Sequence, residues 1–252
     1  MKRNAKSLTL IVSMLLFVAM FVFGFDSCKK KTDEPEQYPA PHWESPEPGP
    51  NGTLPESIIP ESLMDSIGDY FNIYSGENPP ILNGEFVSRP HTLLFANYQE
   101  TPTDTIGSVY SDRYIAFFGN EIKVDFYGMQ YDPELHDDYE EVKRNLHVIG
   151  TGEAFTCYYF TEGYPNGMYA KQSTVFSGKW NDSLYHGLKD FQVAVILLEN
   201  SGNPALAPVN SFRILGDGDG LALDTAWLTG TRAIFDEVTV TDEDLFRMFR
   251  VK

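Results

Sequence analysis

From Pro80 onward the sequence is a series of short stretches rich in aromatic and β-branched residues, each closed by a turn signal. Phe86-Val87, Thr92 to Tyr98, Tyr114 to Phe118, Ile122 to Tyr127, Phe155 to Phe160, Tyr169 to Phe176, Phe191 to Leu198, Ser211 to Leu215 and Leu221 to Leu228 all suit a pleated backbone. Gly119-Asn120, Pro165-Asn166-Gly167 and Gly216 to Gly220 separate them with residues that accept the positive φ of hairpin turns. With about eight to ten strands, short links and no interspersed helix, the chain is expected to be mainly β, as an antiparallel meander. Such a meander buries itself and protects its edges by closing into a barrel or packing as a two-sheet sandwich.

One short helix is expected ahead of this series. Leu63, Ile67, Phe71 and Tyr74 recur at three- and four-residue spacing over 61–74, with Ser62 and Asp65 as a capping pair and Gly76 as the left-handed residue beyond the end. Pro79-Pro80 forbid continuation. Residues 131–146 allow two readings. Leu135, Tyr139, Val142 and Leu146 keep a helical stripe behind Asp132-Pro133, with Asp132, Glu134, Asp137, Asp138, Glu140 and Glu141 as its solvated acidic face; a long charged loop is the other reading. Asp236 to Val251 is expected to add a short closing strand and helix.

A second constraint stands at the start of the chain. Lys2, Arg3 and Lys6 precede an almost unbroken apolar run from Leu8 to Phe25, which reads as an export signal over residues 1–27. At about 18 residues the run lies at the lower limit for a permanent membrane helix, so cleavage and retention both fit. Residues 28–60 then hold eight of the 16 prolines without any helix or strand period. A Pro-rich linker is expected there, semi-rigid and extending about 3 Å per residue. Residues 61–252 remain for a single antiparallel β domain.

Acidic residues outnumber basic ones 36 to 19, for a net charge of −17. That balance argues against a nucleic-acid partner, which requires clustered Lys and Arg. Two cysteines cannot build a disulfide framework or a Cys-rich zinc site. There is no Gly-x-Ser-x-Gly elbow, no His-Glu-x-x-His pair and no phosphate-cradling glycine loop, so no catalytic site is expected. Cys157, inside an apolar run, reads as a buried and inert thiol. The segment Gly216-Asp217-Gly218-Asp219-Gly220 is turn chemistry. It also makes Asp217, Asp219 and Asp224 a weak calcium candidate, incomplete because Leu221 stands where a third oxygen ligand is wanted. No other cofactor is expected. Trp180, Trp227, Tyr158 and Tyr159, near strand ends, are the candidates for stacking on a glycan or lining an apolar cup, with core packing as the alternative.

Phe25-Asp26-Ser27-Cys28 resembles the lipobox of bacterial lipoproteins. The resemblance implies cleavage before Cys28, acylation of Cys28, and residence in the cell envelope, at the outer membrane, held there by lipid. Over 61–252, a helix leading into Gly76-Glu77-Asn78-Pro79-Pro80-Ile81-Leu82-Asn83-Gly84-Glu85-Phe86 is similar to lipoprotein domains of the Bacteroidota in which a lipocalin-like barrel follows. In that phylum Asp-Ser/Thr-aliphatic tripeptides are O-glycosylation sites, which makes Thr105 and Ser183 candidates. The expected function is that of a non-enzymatic envelope lipoprotein, membrane-anchored, whose barrel-like domain binds a small apolar or glycan ligand. Two alternatives stay open: a structural or assembly partner in an envelope protein complex, and a hydrolase whose carboxylates converge only in space.

Overall fold

A computed structural model describes residues 38–99, 105–119, 122–132, 137–181 and 187–225. The export signal, Cys28, Ser183, Trp227 and the expected element at 236–251 lie outside these ranges. In chain order the elements are β1 (His42–Glu44), α1 (Glu61–Gly68), β2 (Glu77–Asn78), β3 (Asn83–Ser88), β4 (His91–Ala96), β5 (Val109–Tyr110), β6 (Arg113–Gly119), β7 (Lys123–Asp132), β8 (Asp137–Thr151), β9 (Ala154–Gly163), β10 (Ala170–Asn181), β11 (Gly187–Glu199), β12 (Phe212–Asp217) and β13 (Leu221–Asp224). Among the described residues, no helix is long and apolar enough to cross a membrane.

The sheet closes into an eight-stranded antiparallel barrel, not a two-sheet sandwich. From β6 to β11 each strand pairs with the next in an unbroken meander. The next barrel position is shared by β12 and β13, which both pair with β11 and never with each other. Gly216 to Gly220 is therefore an interruption within one barrel strand, not the hairpin turn that its composition suggests. The last position is likewise divided at the cis Arg89–Pro90 bond. β3 closes the ring between β13 and β6, while β4 continues the line between β12 and β5.

Alternation along the strands sorts the side chains into two cores. Phe155, Cys157 and Tyr159 of β9, Phe176 of β10 and Phe191, Val193, Val195 and Leu197 of β11 point into the barrel. Tyr158 and Phe160 of β9, Val175 of β10 and Ala194 and Ile196 of β11 point outward, where α1 and the chain before it cover them. Leu63 and Ile67, four residues apart on α1, are both buried in this outer cluster. Each contributes about 1.5–3 kcal/mol of apolar burial.

The helix is shorter than its stripe. It ends at Gly68, Pro60 occupies the N-cap without a side-chain hydrogen bond, and Phe71 reaches the same cluster from the turn beyond. Ser62 and Asp65 therefore form no capping box. Gly76 serves a different purpose from the expected helix cap. At φ +135° it accepts the Gly150 N–H and donates to Gly52 O, and a Cβ there would stand 2.5 Å from Gly150 O.

The Pro-rich segment also departs from expectation. From Tyr38 on it belongs to the barrel unit rather than to a linker. β1 pairs with β9, and Leu54, Ile58 and Ile59 are buried beneath α1. Pro41 and Pro46 flank β1 on an edge, where a missing N–H costs no ladder bond. Four apolar anchors without regular spacing (Trp43, Leu54, Ile58, Ile59) hold a chain that shows no period of its own.

β8 is the largest correction. Residues 137–146, read as a helix or a charged loop, are the first half of a strand paired with β7 from Asp132↔Asp137 to Val124↔Leu146. Asn145 adopts φ 56° at a register shift, its N–H donating to Asp125 Oδ1. Such a bulge changes the phase, so Lys143 opposite Phe126 and Leu146 opposite Val124 share one face although three residues apart. Val142, opposite Tyr127, lies on the other face from Leu146, so their four-residue spacing is not a helical stripe.

At His147 and Tyr158, β8 and β9 part, and from Phe160 onward β9 pairs with β1 instead. Ser45 fills the fork: its hydroxyl donates to Tyr158 O at 2.7 Å and accepts the His147 N–H at 2.9 Å. Ser45→Ala is expected to leave both backbone groups without this partner, at about 1–2 kcal/mol, lowering the thermal midpoint by several degrees. An unchanged midpoint in calorimetry would show that the fork closes without it.

Candidate functional site

The barrel interior is divided. Toward the β6–β7 and β8–β9 turns it is filled by rings: Phe117 lies 5.5 Å from Phe126 and 5.9 Å from Phe155, and Phe126 lies 4.5 Å from Phe176 between centroids. Cys157 sits fully buried in this aromatic half, and burial pushes its thiol pKa well above the ordinary value, so it is a protonated, sequestered group at neutral pH. Toward the opposite end, polar inward positions join apolar ones such as Val195 and Leu197.

That polarity follows from strand parity. Arg113 precedes Ile115 and Phe117 by two and four residues on β6, so it shares their inward face. Gly128 of β7 stands directly across from Ile115 on one side and Glu141 on the other. A Cβ at Gly128 would meet Arg113 Nη2 at 3.3 Å and Phe126 Cζ at 2.8 Å. Glycine thus leaves the room in which Arg113 and Glu141 meet.

The cluster centres on Glu141. Arg113 Nη2 donates to Glu141 Oε2 at 3.3 Å, the Tyr159 hydroxyl donates to Glu141 Oε1, and Lys143 Nζ lies 3.7 Å from Oε1. Lys143 also stands over the Tyr159 ring, 5.4 Å from its centroid. Arg113, Glu141 and Lys143 are only 8%, 4% and 3% exposed. Next to them along the wall, Thr174 faces Tyr159 and Thr161 faces Gln172, all four buried. Trp43 of β1 lies across from Thr161 and packs on the inner core. Further round, Arg213 lies between the outward Phe212 and Ile214, held by the Tyr110 hydroxyl and ring.

His91 borders the same region. It is 1% exposed, its Nδ1 is 3.0 Å from Ser88 Oγ, and Ser88 pairs with Arg113 across β3 and β6. Burial, aided by the Arg113 charge, pulls its pKa down to about 3. The ring is neutral across the physiological range.

The candidates named from sequence do not converge. Tyr159 alone belongs to the polar cluster. Tyr158 is buried on the outer face under α1, and Trp180 is half-buried, edge-on to Phe86 at 5.7 Å and 87°. Asp217 organises its own turn: Oδ1 accepts the Asp219 and Leu221 N–H groups, and Oδ2 accepts the Arg89 N–H. Asp219 Oδ1 accepts the Leu221 N–H as well. Among the described residues no group of three or more His, Cys, Asp or Glu side chains could hold a metal ion. Thr105 is exposed on the link between β4 and β5, its N–H donating to Ser108 Oγ.

Arg113, Glu141, Lys143, Thr161, Gln172 and Thr174 were not singled out by motif. For Arg113, Thr161, Gln172 and Thr174 the signal is positional, a polar side chain two residues from an inward apolar one on the same strand; Glu141 and Lys143 lack it because of the bulge at Asn145. What fold and site define together is a closed antiparallel barrel with an aromatic-filled half and a half lined by buried charge. Comparison with known proteins gives no matching family model, no matching curated protein and no matching solved structure.

Proposed function

We propose that the chain is a lipid-anchored envelope lipoprotein whose barrel binds a small molecule in its polar half, without catalysing a reaction. The observation that carries the reading is the buried Arg113–Glu141–Lys143–Tyr159 cluster facing inward, with Thr161, Gln172 and Thr174 beside it. A barrel stabilised by its interior alone is served better by apolar side chains, because buried ion pairs add little net stability. The ring-filled half speaks against a deep apolar cup, and Trp180 and Tyr158 do not present exposed faces to a sugar. Binding rather than catalysis is supported by the sequestered Cys157 thiol and by Glu141, whose carboxylate is already held by three neighbours.

The anchoring part rests on the lipobox-like Phe25-Asp26-Ser27-Cys28 and is tested separately. Metabolic labelling with a fatty-acid probe is expected to tag the wild-type chain and not Cys28→Ala. Equal labelling of both, or of neither, would remove the anchor. For the binding part, native mass spectrometry of the protein released from its own membranes is expected to show a small-molecule increment that disappears on denaturation. A mass equal to the polypeptide with its lipid would overturn the binding reading.

A further inference from the structure

Resting on that ligand-binding reading, we infer that the Arg113–Lys143 pair receives the carboxylate of a monoanionic amphiphile. Charge comes first. Among the described residues the cluster sets two buried cations, Arg113 and Lys143, against the one Glu141 carboxylate, an excess of one positive charge in a chain whose net charge is −17. A buried excess charge is costly unless an opposite charge meets it. A carboxylate balances it one to one, whereas a dianionic phosphate reverses the imbalance.

The donors are in place as well. Arg113 spends Nη2 on Glu141, while its Nε is buried and has no hydrogen-bond partner among the described residues. Lys143 Nζ at 3.7 Å is beyond hydrogen-bond range of Glu141 Oε1. Glu141 cannot turn to serve both cations better, because its oxygens already take the Arg113 Nη2 and the Tyr159 hydroxyl. Thr161 Oγ1 and Gln172 Oε1, paired across β9 and β10, are likewise buried without a partner among the described residues. They supply a neutral polar edge on the same wall. The apolar requirement comes from Trp43 opposite Thr161, and from Leu206 and Ala207, which the β11–β12 link packs onto the inner core. A carboxylate on an apolar body fits this surface; a free inorganic anion leaves its apolar part unused.

The test is calorimetric titration of the full chain with decanoate and benzoate, with decanol and benzyl alcohol as neutral counterparts, and with inorganic phosphate. The carboxylates are expected to bind at least about tenfold more tightly than the alcohols and than phosphate, the worth of a charge-assisted hydrogen bond. Lys143→Met, which leaves the Arg113–Glu141 pair intact, is expected to remove that preference without lowering the thermal midpoint. In the wild type the Arg113 Nε–H resonance is expected to move on addition of decanoate. Alcohols binding as tightly as carboxylates, phosphate binding more tightly, or Lys143→Met retaining the preference would each overturn the assignment while leaving a ligand-binding barrel. If no probe binds but the native protein carries a small molecule, this assignment fails alone; if it carries none, the binding reading fails with it.

Discussion

Glu141→Ala is expected to lower the unfolding free energy by about 3–5 kcal/mol, and Lys143→Met to change it by less than about 1 kcal/mol or to raise it. The two residues are adjacent partners in one cluster and almost equally buried, so a simple count of lost contacts predicts similar costs. Charge balance predicts the opposite. Without Glu141, Arg113 and Lys143 face each other's field in a low-dielectric interior, and the Tyr159 hydroxyl loses one acceptor. Without Lys143, one compensated Arg113–Glu141 pair remains. The double variant Glu141→Ala/Lys143→Met is expected to recover part of the single-variant loss, because one of the two orphaned cations is gone. Urea denaturation of the three variants measures this directly. Equal losses for both single variants, or strict additivity in the double, would show that the cluster acts through packing alone.

The meander was legible because it rests on repeated local signals. Nine aromatic and β-branched stretches each mark a strand or part of one, which specifies the antiparallel meander; barrel and two-sheet sandwich both satisfy that pattern, and the pairing of β3 with β13 and β6 is what closes it. The first half of β8 was hidden by two things at once. Its inward residues include Glu141 and Lys143, the types that ordinarily mark a solvated face, and the bulge at Asn145 replaces the two-residue period with a three-residue step. The same features conceal the site, since a buried polar wall and an exposed loop have the same composition. Residues 38–60 were misread for another reason. Ile58 and Ile59 contribute burial without periodicity, so a pattern search finds only the prolines around them.

Gly216 to Gly220 illustrates a limit of turn chemistry. Asp-Gly repeats report that the chain needs positive φ and local carboxylate acceptors, and Gly220 at φ +87° and Asp217 with its three N–H donors confirm that much. They do not report which strands the loop joins. Both flanking strands pair with β11, at Gln192↔Gly216 and Lys189↔Leu221, so the loop is an excursion at one level of the barrel wall. The cis Arg89–Pro90 bond divides the neighbouring strand at the same level, and Arg89 N–H to Asp217 Oδ2 together with Gly218 N–H to Pro90 O ties the two breaks together. The calcium reading of Asp217 and Asp219 meets this competition directly, because the oxygens a cation needs are accepting backbone N–H groups.

Acid is expected to destabilise the domain through His91, by up to about 5 kcal/mol between pH 6.5 and pH 3. The ring is buried beside Ser88 and within the field of Arg113, and its pKa is pulled down to about 3 from an ordinary 6.5. A depressed histidine pKa means that the unfolded chain binds the proton first. The neutral ring therefore contributes its full stabilisation above pH 6.5 and loses it as pH falls toward 3, at about 1.4 kcal/mol per pH unit. Asp217 works in the other direction. Desolvation and the Asp219 carboxyl raise its pKa to about 6, so its contribution grows as pH falls through 6 and is complete below the ordinary carboxylate range. That carboxyl is itself only 8% exposed, so in the wild type its gain offsets part of the histidine loss, and the comparison with a variant at position 91, in which Asp217 is unchanged, isolates the ring. His91→Gln keeps a polar partner for Ser88 but cannot take up the proton. Equilibrium denaturation at pH 7.5 and 4.5 is expected to show a much smaller acid loss in His91→Gln than in the wild type, with the two proteins closest in stability at the lower pH. Parallel pH profiles for the two would mean that carboxylates elsewhere, rather than this buried ring beside Arg113, set the acid limit of the fold.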